Sequence, residues 1–217
     1  MLQHTETVDG PGLVAVGSAV AERVTFEVET EIPTTHGPFR FRAYRDRVTG
    51  DEHLAIVSLA PVTQGALVRV HSECLTGEVF SSEKCECGPQ LDAALERIAE
   101  GGVVGYLRGH EGRGIGLIAK LKAYRLQQSG LDTLDANLAL GLPADDREYV
   151  AAAAILEDLG LHSVRLLTNN PDKIAQLTAH GIEVVERMPL VTGAAPSNLA
   201  YLRAKRDRMG HLIPADT

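Results

Sequence analysis

The chain has 217 residues, of which 44% are hydrophobic and 23% charged, as in ordinary globular proteins. A formal net charge of −8 and an aromatic content of 4% argue against a basic nucleic-acid surface or a base-stacking platform, so we expect no nucleic-acid partner. Three cysteines are too few for a disulfide framework, and the N-terminal region has neither a cationic leader nor a run long enough to span a membrane. These features favour a reduced, cytoplasmic protein.

The first 70 residues predict an antiparallel arrangement. Residues 1–22 carry no clear hydrophobic period and are interpreted as an N-terminal extension that precedes one domain over 23–217. Alternating apolar residues separated by proline and glycine favour a β-hairpin followed by two further strands. The four predicted strands cover 24–28, 39–44, 53–59 and 66–70.

The rest of the chain alternates between strand and helix patterns, which favours parallel strand pairing. Asn170 and Pro171 suit the first positions of one helix, and Gly101, Gly130 and Gly160 suit helix ends. The predicted elements are a helix near 89–98, a strand at 103–107, helices at 115–128 and 146–159, a strand at 164–168, a helix at 171–180 and a strand at 182–186. We therefore predict an α/β fold, a single domain with a mixed β-sheet flanked by helices.

All the cysteines, Cys74, Cys85 and Cys87, lie within fourteen residues of sequence. Three thiolates are one short of a closed structural zinc site, and an open fourth position is typical of catalytic zinc, which makes a bound water acidic. Buried structural cysteines, or a closed site with His71 as the fourth ligand, are the alternatives. A zinc ion with three thiolates is electron-rich and needs nearby cations, for which Arg69 and Lys84 are candidates by proximity.

Two turns have the character of anion-binding sites. Residues 101–130 contain five lysines and arginines and a single acid, Glu111, and within them the stretch RGHEGRG at 108–114 connects a strand to a helix. Glycine-rich backbone, a helix N-terminus and arginines together suit a phosphate group. The turn from Thr168 to Lys173 combines a hydroxyl, a helix N-terminus and a lysine, which also suit an anion. Plain solvated turns are the alternative, but two such turns beside a cysteine cluster favour a phosphorylated small molecule.

The motifs resemble the GTP cyclohydrolase II family of riboflavin biosynthesis over about 24–213. The resemblance is carried by RVHSECLTGEVF (69–80), KCECGPQLDAAL (84–95), YLRGHEGRGIGL (106–117), KAYRLQQSGLDTLDAN (122–137), PADDREY (143–149) and RLLTNNPDK (165–173). It implies a zinc-dependent hydrolase that opens the imidazole ring of GTP. Formate and pyrophosphate would be released, leaving 2,5-diamino-6-(5-phosphoribosylamino)pyrimidin-4(3H)-one. Magnesium is implied as a second cofactor and a homodimer as the assembly.

The resemblance also implies roles for individual residues. Asp145 resembles the proton acceptor, Arg147 the residue proposed as nucleophile on the α-phosphate, and Tyr124 a tyrosine near the guanine. Because an arginine pKa exceeds about 12, we expect Arg147 to stabilise charge in the transition state. The implied zinc ligands are Cys74, Cys85 and Cys87. The implied GTP contacts are Arg69, Val70, His71, Ser72, Glu73, Gln90, Glu111, Gly112, Arg113, Thr133, Thr168 and Lys173.

The chain also departs from the family pattern. Lys84 and Glu86 stand where many members have arginine and aspartate, and RGHEGRG has one residue more than the common RQEGRG. A lysine loses the bidentate geometry of arginine, so phosphate handling could differ. Two alternatives therefore stay open: a paralogue that stops at a formamidopyrimidine product or uses another purine nucleotide, and a non-catalytic nucleotide-binding module with a structural zinc.

Overall fold

Seven strands form one mixed sheet in the computed structural model, which describes residues 20–215. Their order across the sheet is β1-β2-β3-β5-β4-β6-β7. The strands are β1 (Val24–Thr34), β2 (Gly37–Asp46), β3 (Glu52–Ser58), β4 (Ala66–Ser72), β5 (Gly102–Leu107), β6 (Ser163–Leu167) and β7 (Glu183–Met188). The predicted α/β class with a mixed sheet is confirmed.

Strand direction changes in the middle of the sheet. β1, β2, β3 and β5 pair antiparallel, whereas β5, β4, β6 and β7 pair parallel. The predicted hairpin is confirmed, and its strands are longer than predicted because the pairing continues to a turn between Thr34 and Gly37. The predicted parallel pairing of the later strands is confirmed as well.

Helices cover both faces of the sheet and bury two apolar clusters. They are α1 (Leu75–Glu78), α2 (Cys87–Ile98), α3 (Leu117–Gln128), α4 (Thr133–Ala139), α5 (Val150–Asp158), α6 (Pro171–Ala179) and α7 (Leu199–Met209). Six consecutive residues of α5, from Ala151 to Leu156, are buried in the larger cluster, as expected for a helix that is apolar all round. Ile98 of α2 packs in the smaller cluster on the opposite face.

One predicted helix begins at the wrong residue, and three helices were not predicted. The predicted helix at 146–159 starts at Val150, because residues 146–149 form a loop whose Asp146 amide donates to the Arg113 carbonyl at 3.0 Å. The helices α1, α4 and α7 carry weak apolar periods: α7, for example, buries only Leu202 and Ala204 among eleven residues. Packing against other elements, rather than local periodicity, fixes these helices.

The N-terminal extension lies mostly outside the described residues. Val20, which the sequence assigned to that extension, is 4% exposed and belongs to the larger apolar cluster. Within residues 20–215, none of the helices combines the length and apolar character needed to traverse a bilayer.

Candidate active site

The candidate active site lies where three neighbouring parallel strands end. β4 is followed by Cys74, β5 by the loop 108–116, and β6 by the turn 168–173. Carboxyl ends of adjacent parallel strands meet at one edge of a sheet, which is where α/β proteins bind ligands. Three segments that are distant in sequence therefore deliver their polar side chains to one place.

The three cysteine sulfurs converge at this edge. They lie within 4.8 Å of one another, and the sulfurs of Cys74 and Cys85 are 3.6 Å apart. Tetrahedral zinc, with Zn–S bonds of about 2.3 Å, holds its ligand sulfurs about 3.8 Å apart, so this donor set fits the ion. Among the described residues the cluster consists of these three cysteines alone. His71 does not belong to it, since its Nε2 pairs with the Glu78 carboxylate at 2.8 Å.

A glycine makes room for the sulfur cluster. A Cβ atom placed on Gly77 would lie 2.7 Å from the Cys85 sulfur and 3.3 Å from the Cys74 sulfur. Real side chains do not tolerate the shorter of these contacts, so a larger residue at position 77 would displace Cys85. The short helix α1 can pass directly behind the cysteines because one of its four residues lacks a side chain.

A buried lysine faces the sulfurs. Lys120 Nζ lies 3.0 Å from the Cys74 sulfur and 2.5 Å from a Glu111 oxygen, while the second Glu111 oxygen accepts from the Leu75 amide at 2.7 Å. Hydrogen bonds from Cys85 and Cys87, and then Lys120, hold the pKa of the Cys74 thiol far below its ordinary value. The cation that offsets thiolate charge is therefore Lys120, which contacts a sulfur directly.

The next cavity along the sheet edge is strongly cationic. Its lining contains Arg69, Arg113, Arg147, Lys173 and Lys205. Arg69 donates to Gln90 Oε1 at 2.8 Å and to the Leu167 carbonyl at 3.0 Å, and Lys173 donates to the Val70 carbonyl at 2.6 Å. Burial, reinforced by Arg69 and Arg147, lowers the pKa of Lys173 well below its ordinary value.

Two donors in this cavity have no hydrogen-bond partner among the described residues. They are the Arg69 Nε and the Arg113 Nη2, and both are buried. Arg113 also adopts a left-handed backbone conformation with φ of 68°, which costs a non-glycine residue about 1–3 kcal/mol and is typical of ligand sites. Unpaired buried donors and an excess of positive charge both suit an anion that supplies the missing acceptors.

A loop before α5 connects the two cavities. Arg147 donates to both carboxylate oxygens of Asp145, and its Nη1 lies 3.5 Å from the Ser72 hydroxyl. Although burial alone would raise it, the pKa of Asp145 is lowered by Arg147. His110 Nδ1 lies 3.0 Å from the same hydroxyl, and burial, with Arg147 and Lys173, lowers the pKa of His110 to about 3.

The sulfur-lined and cationic cavities enclose about 590 and 610 Å³, counting space open to solvent. They share five lining residues: Ser72, Cys87, Arg113, Arg147 and Tyr201. One extended ligand can therefore contact the sulfur cluster with one end and the cations with the other.

The structure gathers the residues that the sequence singled out. Most line one of the two cavities; Val70, Glu111 and Asp145 instead contact lining residues through Lys173, Lys120 and Arg147. The residues at the sulfur-lined cavity are Ser72, Glu73, Cys74, Cys85, Cys87, Gly112, Arg113, Tyr124, Thr133 and Arg147. Those at the cationic cavity are Arg69, His71, Ser72, Cys87, Gln90, Arg113, Arg147, Thr168 and Lys173.

Sequence reasoning missed several residues of the site. Tyr201, Lys205 and His211 line the cationic cavity, yet none was assigned to the site from sequence. The spacing of Tyr201 and Lys205, four residues apart on one face of α7, was an available signal. Lys84, expected near the sulfurs, is exposed, with its Nζ 5.2 Å from the centre of the Tyr124 ring.

The fold and the site together define a class: an α/β protein that presents three convergent thiols beside a cationic cleft. The family model for GTP cyclohydrolase II matches residues 25–189, which include all three cysteines and the two turns at 108–114 and 168–173. The chain belongs to the GTP cyclohydrolase II family and is an enzyme of that family.

Similar proteins support the assignment over nearly the whole chain. GTP cyclohydrolase-2 of Streptomyces coelicolor is 52% identical over 203 residues, which cover 92% of each chain. Riboflavin biosynthesis protein RibBA of Salinispora arenicola is 54% identical over 94% of this chain and 49% of its own length. The RibBA protein of Mycobacteroides abscessus is 57% identical over 84% of this chain and 46% of its own. The chain thus spans about half the length of these two RibBA relatives.

Proposed function

We propose that this protein is a zinc-dependent hydrolase that opens the imidazole ring of GTP and releases formate and pyrophosphate. The product would be 2,5-diamino-6-(5-phosphoribosylamino)pyrimidin-4(3H)-one, at the start of riboflavin synthesis. The observation that carries the proposal is the junction of the two cavities, which share Cys87, Arg113 and Arg147. A purine at the sulfurs and a triphosphate at the cations would fill both.

The cysteines would hold the metal, and Lys120 would balance its charge. A zinc ion bound by three thiolates with one position free would supply the Lewis acidity that makes water a nucleophile near neutral pH. Lys120, buried at 3.0 Å from the Cys74 sulfur, withdraws electron density from that thiolate. Glu111 fixes this ammonium, so its proposed contribution to GTP binding acts through Lys120.

The residues of the connecting loop would handle protons and phosphate charge. Asp145 is held ionised by Arg147 and can accept a proton from an attacking water. Arg147 would stabilise charge on the α-phosphate during pyrophosphate departure, and magnesium would accompany the triphosphate. Tyr124 lines the sulfur-lined cavity, where it can contact the guanine.

The cationic cavity would bind the triphosphate. Arg69 and Arg113 each offer a buried donor that no described residue satisfies, and Lys173 adds an amine that donates to the Val70 carbonyl. Thr168 and Gln90 complete the lining with neutral groups. A cytoplasmic location, expected from the cysteine count and the N-terminal sequence, and a homodimeric assembly, implied by the family resemblance, remain parts of the proposal.

Product analysis of the zinc-loaded protein with GTP and magnesium tests the proposal. Equal amounts of formate and pyrophosphate are expected. Pyrophosphate without formate would support the paralogue that stops at a formamidopyrimidine. Bound zinc and bound GTP without either product would support the non-catalytic module and contradict the proposed activity.

A further inference from the structure

Helix α7 lies beyond the region that the family model matches, yet it forms one wall of the cationic cavity. The match ends at residue 189, whereas α7 covers Leu199–Met209. Tyr201 and Lys205 project from one face of this helix into the cavity, and His211 follows just after it. The C-terminal segment therefore contributes to a site that the matched region does not complete.

Contacts at several points hold this segment in place. Arg208 pairs with the carboxylates of Asp132 and Asp135 at the start of α4. Beyond the helix, the Leu212 amide donates to the Asn169 carbonyl at 2.8 Å, next to the anion-binding turn after β6. With its C-terminal end attached at two points to elements of the site, α7 presents its inward side chains at a defined position.

The inward face of α7 carries a buried ammonium. Lys205 Nζ lies 2.5 Å from Glu86 Oε1, with side-chain exposures of 13% and 3%. The second Glu86 oxygen has no hydrogen-bond partner among the described residues. Glu86 lies between Cys85 and Cys87 in sequence, so the Lys205–Glu86 pair joins the wall of the cationic cavity to the cysteine segment.

The described residues balance the charge of the cavity only in part, because Arg147 pairs with Asp145 and Lys205 with Glu86. Its lining contains five lysines and arginines, and Glu86 is the only acidic residue among them. Buried charges are costly unless a partner of opposite sign is near. An anion with several charges would supply that partner. Lys205 could then pair with the anion in place of the Glu86 carboxylate.

We propose that Lys205 is a phosphate-binding residue that α7 delivers to the cationic cavity and that Glu86 holds in position until a polyphosphate binds. The proposal rests on the proposed function insofar as the polyphosphate is the triphosphate of GTP. It adds to the binding set a residue from the C-terminal segment, outside the family match. The ligand class is a chain of phosphates on a nucleoside.

Lys205→Met, tested in the full-length, zinc-loaded protein, removes the charge and retains most of the side-chain length. Isothermal titration would measure affinity for GTP, GMP and inorganic tripolyphosphate. Because hydrogen bonds to charged groups are strong, we expect the Kd for GTP and for tripolyphosphate to rise by about tenfold or more. GMP should weaken by less than about threefold, since it lacks the distal phosphates. Arg203→Met, on the exposed face of the same helix, is the matched control and should change none of the three affinities.

A double variant separates direct phosphate binding from neutralisation of Glu86. Glu86→Gln combined with Lys205→Met leaves no unpaired carboxylate, and zinc content would confirm that the cysteines still bind metal. Persistent loss of tripolyphosphate affinity supports the proposal. Recovery of the parent's affinity, or an unchanged affinity in Lys205→Met alone, would overturn it.

This test is independent of the reaction. Tripolyphosphate binding needs no ring opening, so a parent protein that releases no formate but shows the Lys205 effect would remove the proposed function and leave this inference standing. If the parent releases formate but Lys205→Met binds tripolyphosphate normally, the inference about Lys205 is overturned and the proposed function stands.

Discussion

The antiparallel and parallel halves of the sheet both carry arginines, but they use them differently. In the antiparallel half Arg42 pairs with Glu29 and Asp158, and Arg45 pairs with Glu27 and Glu52. These pairs are solvated and contribute little to stability. In the parallel half, Arg69 within β4 and Arg113 in the loop after β5 are buried and keep donors that no described residue satisfies.

The difference follows from how the strands are connected. β1 and β2 join through a tight turn, so their ends leave no room for a loop that bears functional groups. Parallel strands need long crossovers, and their carboxyl ends lie side by side. The half of the sheet in which an arginine lies, more than its chemical type, therefore decides whether it belongs to the site.

The largest effect that this comparison predicts is at the sulfur cluster. Cys85→Ser should reduce formate release by more than about 100-fold, because changes that merely support a metal ligand already cost about 10- to 100-fold. Formate assay and metal analysis would measure both consequences. Val28→Thr, on the exposed edge strand β1, should leave formate release within about twofold. Equal activity in Cys85→Ser and the parent would refute the metal site.

An intermediate effect is expected at the connecting loop. Arg147→Lys keeps the charge but loses the paired donation to Asp145, so kcat should fall by about 10- to 100-fold while KM changes less than about threefold. Steady-state kinetics on both products would measure the two constants. Arg45→Lys, in an exposed two-carboxylate setting on β2, is the matched substitution and should behave like the parent. A parent-like kcat in Arg147→Lys would remove Arg147 from the mechanism.

The smallest expected effect is on folding stability in acid, and it compares one histidine from each half of the sheet: His110 after β5 and His53 in β3. Burial, with Arg147 and Lys173, lowers the pKa of His110 to about 3, whereas for His53 Asp46 and Asp51 oppose the lowering by burial. Because the unfolded chain then binds protons first, stability is lost as pH falls below the unfolded value of about 6.5.

The free energy of unfolding of the parent should fall between pH 7 and pH 5. His110→Gln should therefore recover on the order of 1 kcal/mol of that fall. His53→Gln should recover less, because carboxylates already favour its charged form. Urea unfolding of the parent and the two variants at both pH values would measure the slopes. A larger recovery in His53→Gln would contradict the assignment of the cationic field to the parallel half.

Local patterns were enough to predict most of the fold. Alternating apolar residues in 24–28 and 39–44 gave the hairpin, and the cap formed by Asn170 and Pro171 starts α6 as predicted. The start of α5 was misplaced because residues 146–149 are held by a contact with Arg113, far away in sequence. The helical period of α7 was missed for a similar reason. Its inward residues Tyr201 and Lys205 are polar and line the cationic cavity, so they do not give the apolar spacing of a helix that packs on a core.

Local sequence was enough to predict that three sulfurs within fourteen residues could bind one ion and that each of two polar turns could bind an anion, because each of these depends on a short stretch of backbone. Which cations accompany the sulfurs, and that the two turns lie at one edge of the sheet, follow from the tertiary structure. Lys120 reaches Cys74 across 46 residues of sequence, and Lys205 reaches Glu86 across 119. Contacts at such separations are set by the order of strands in the sheet and by the helices packed on it, and no local pattern specifies either.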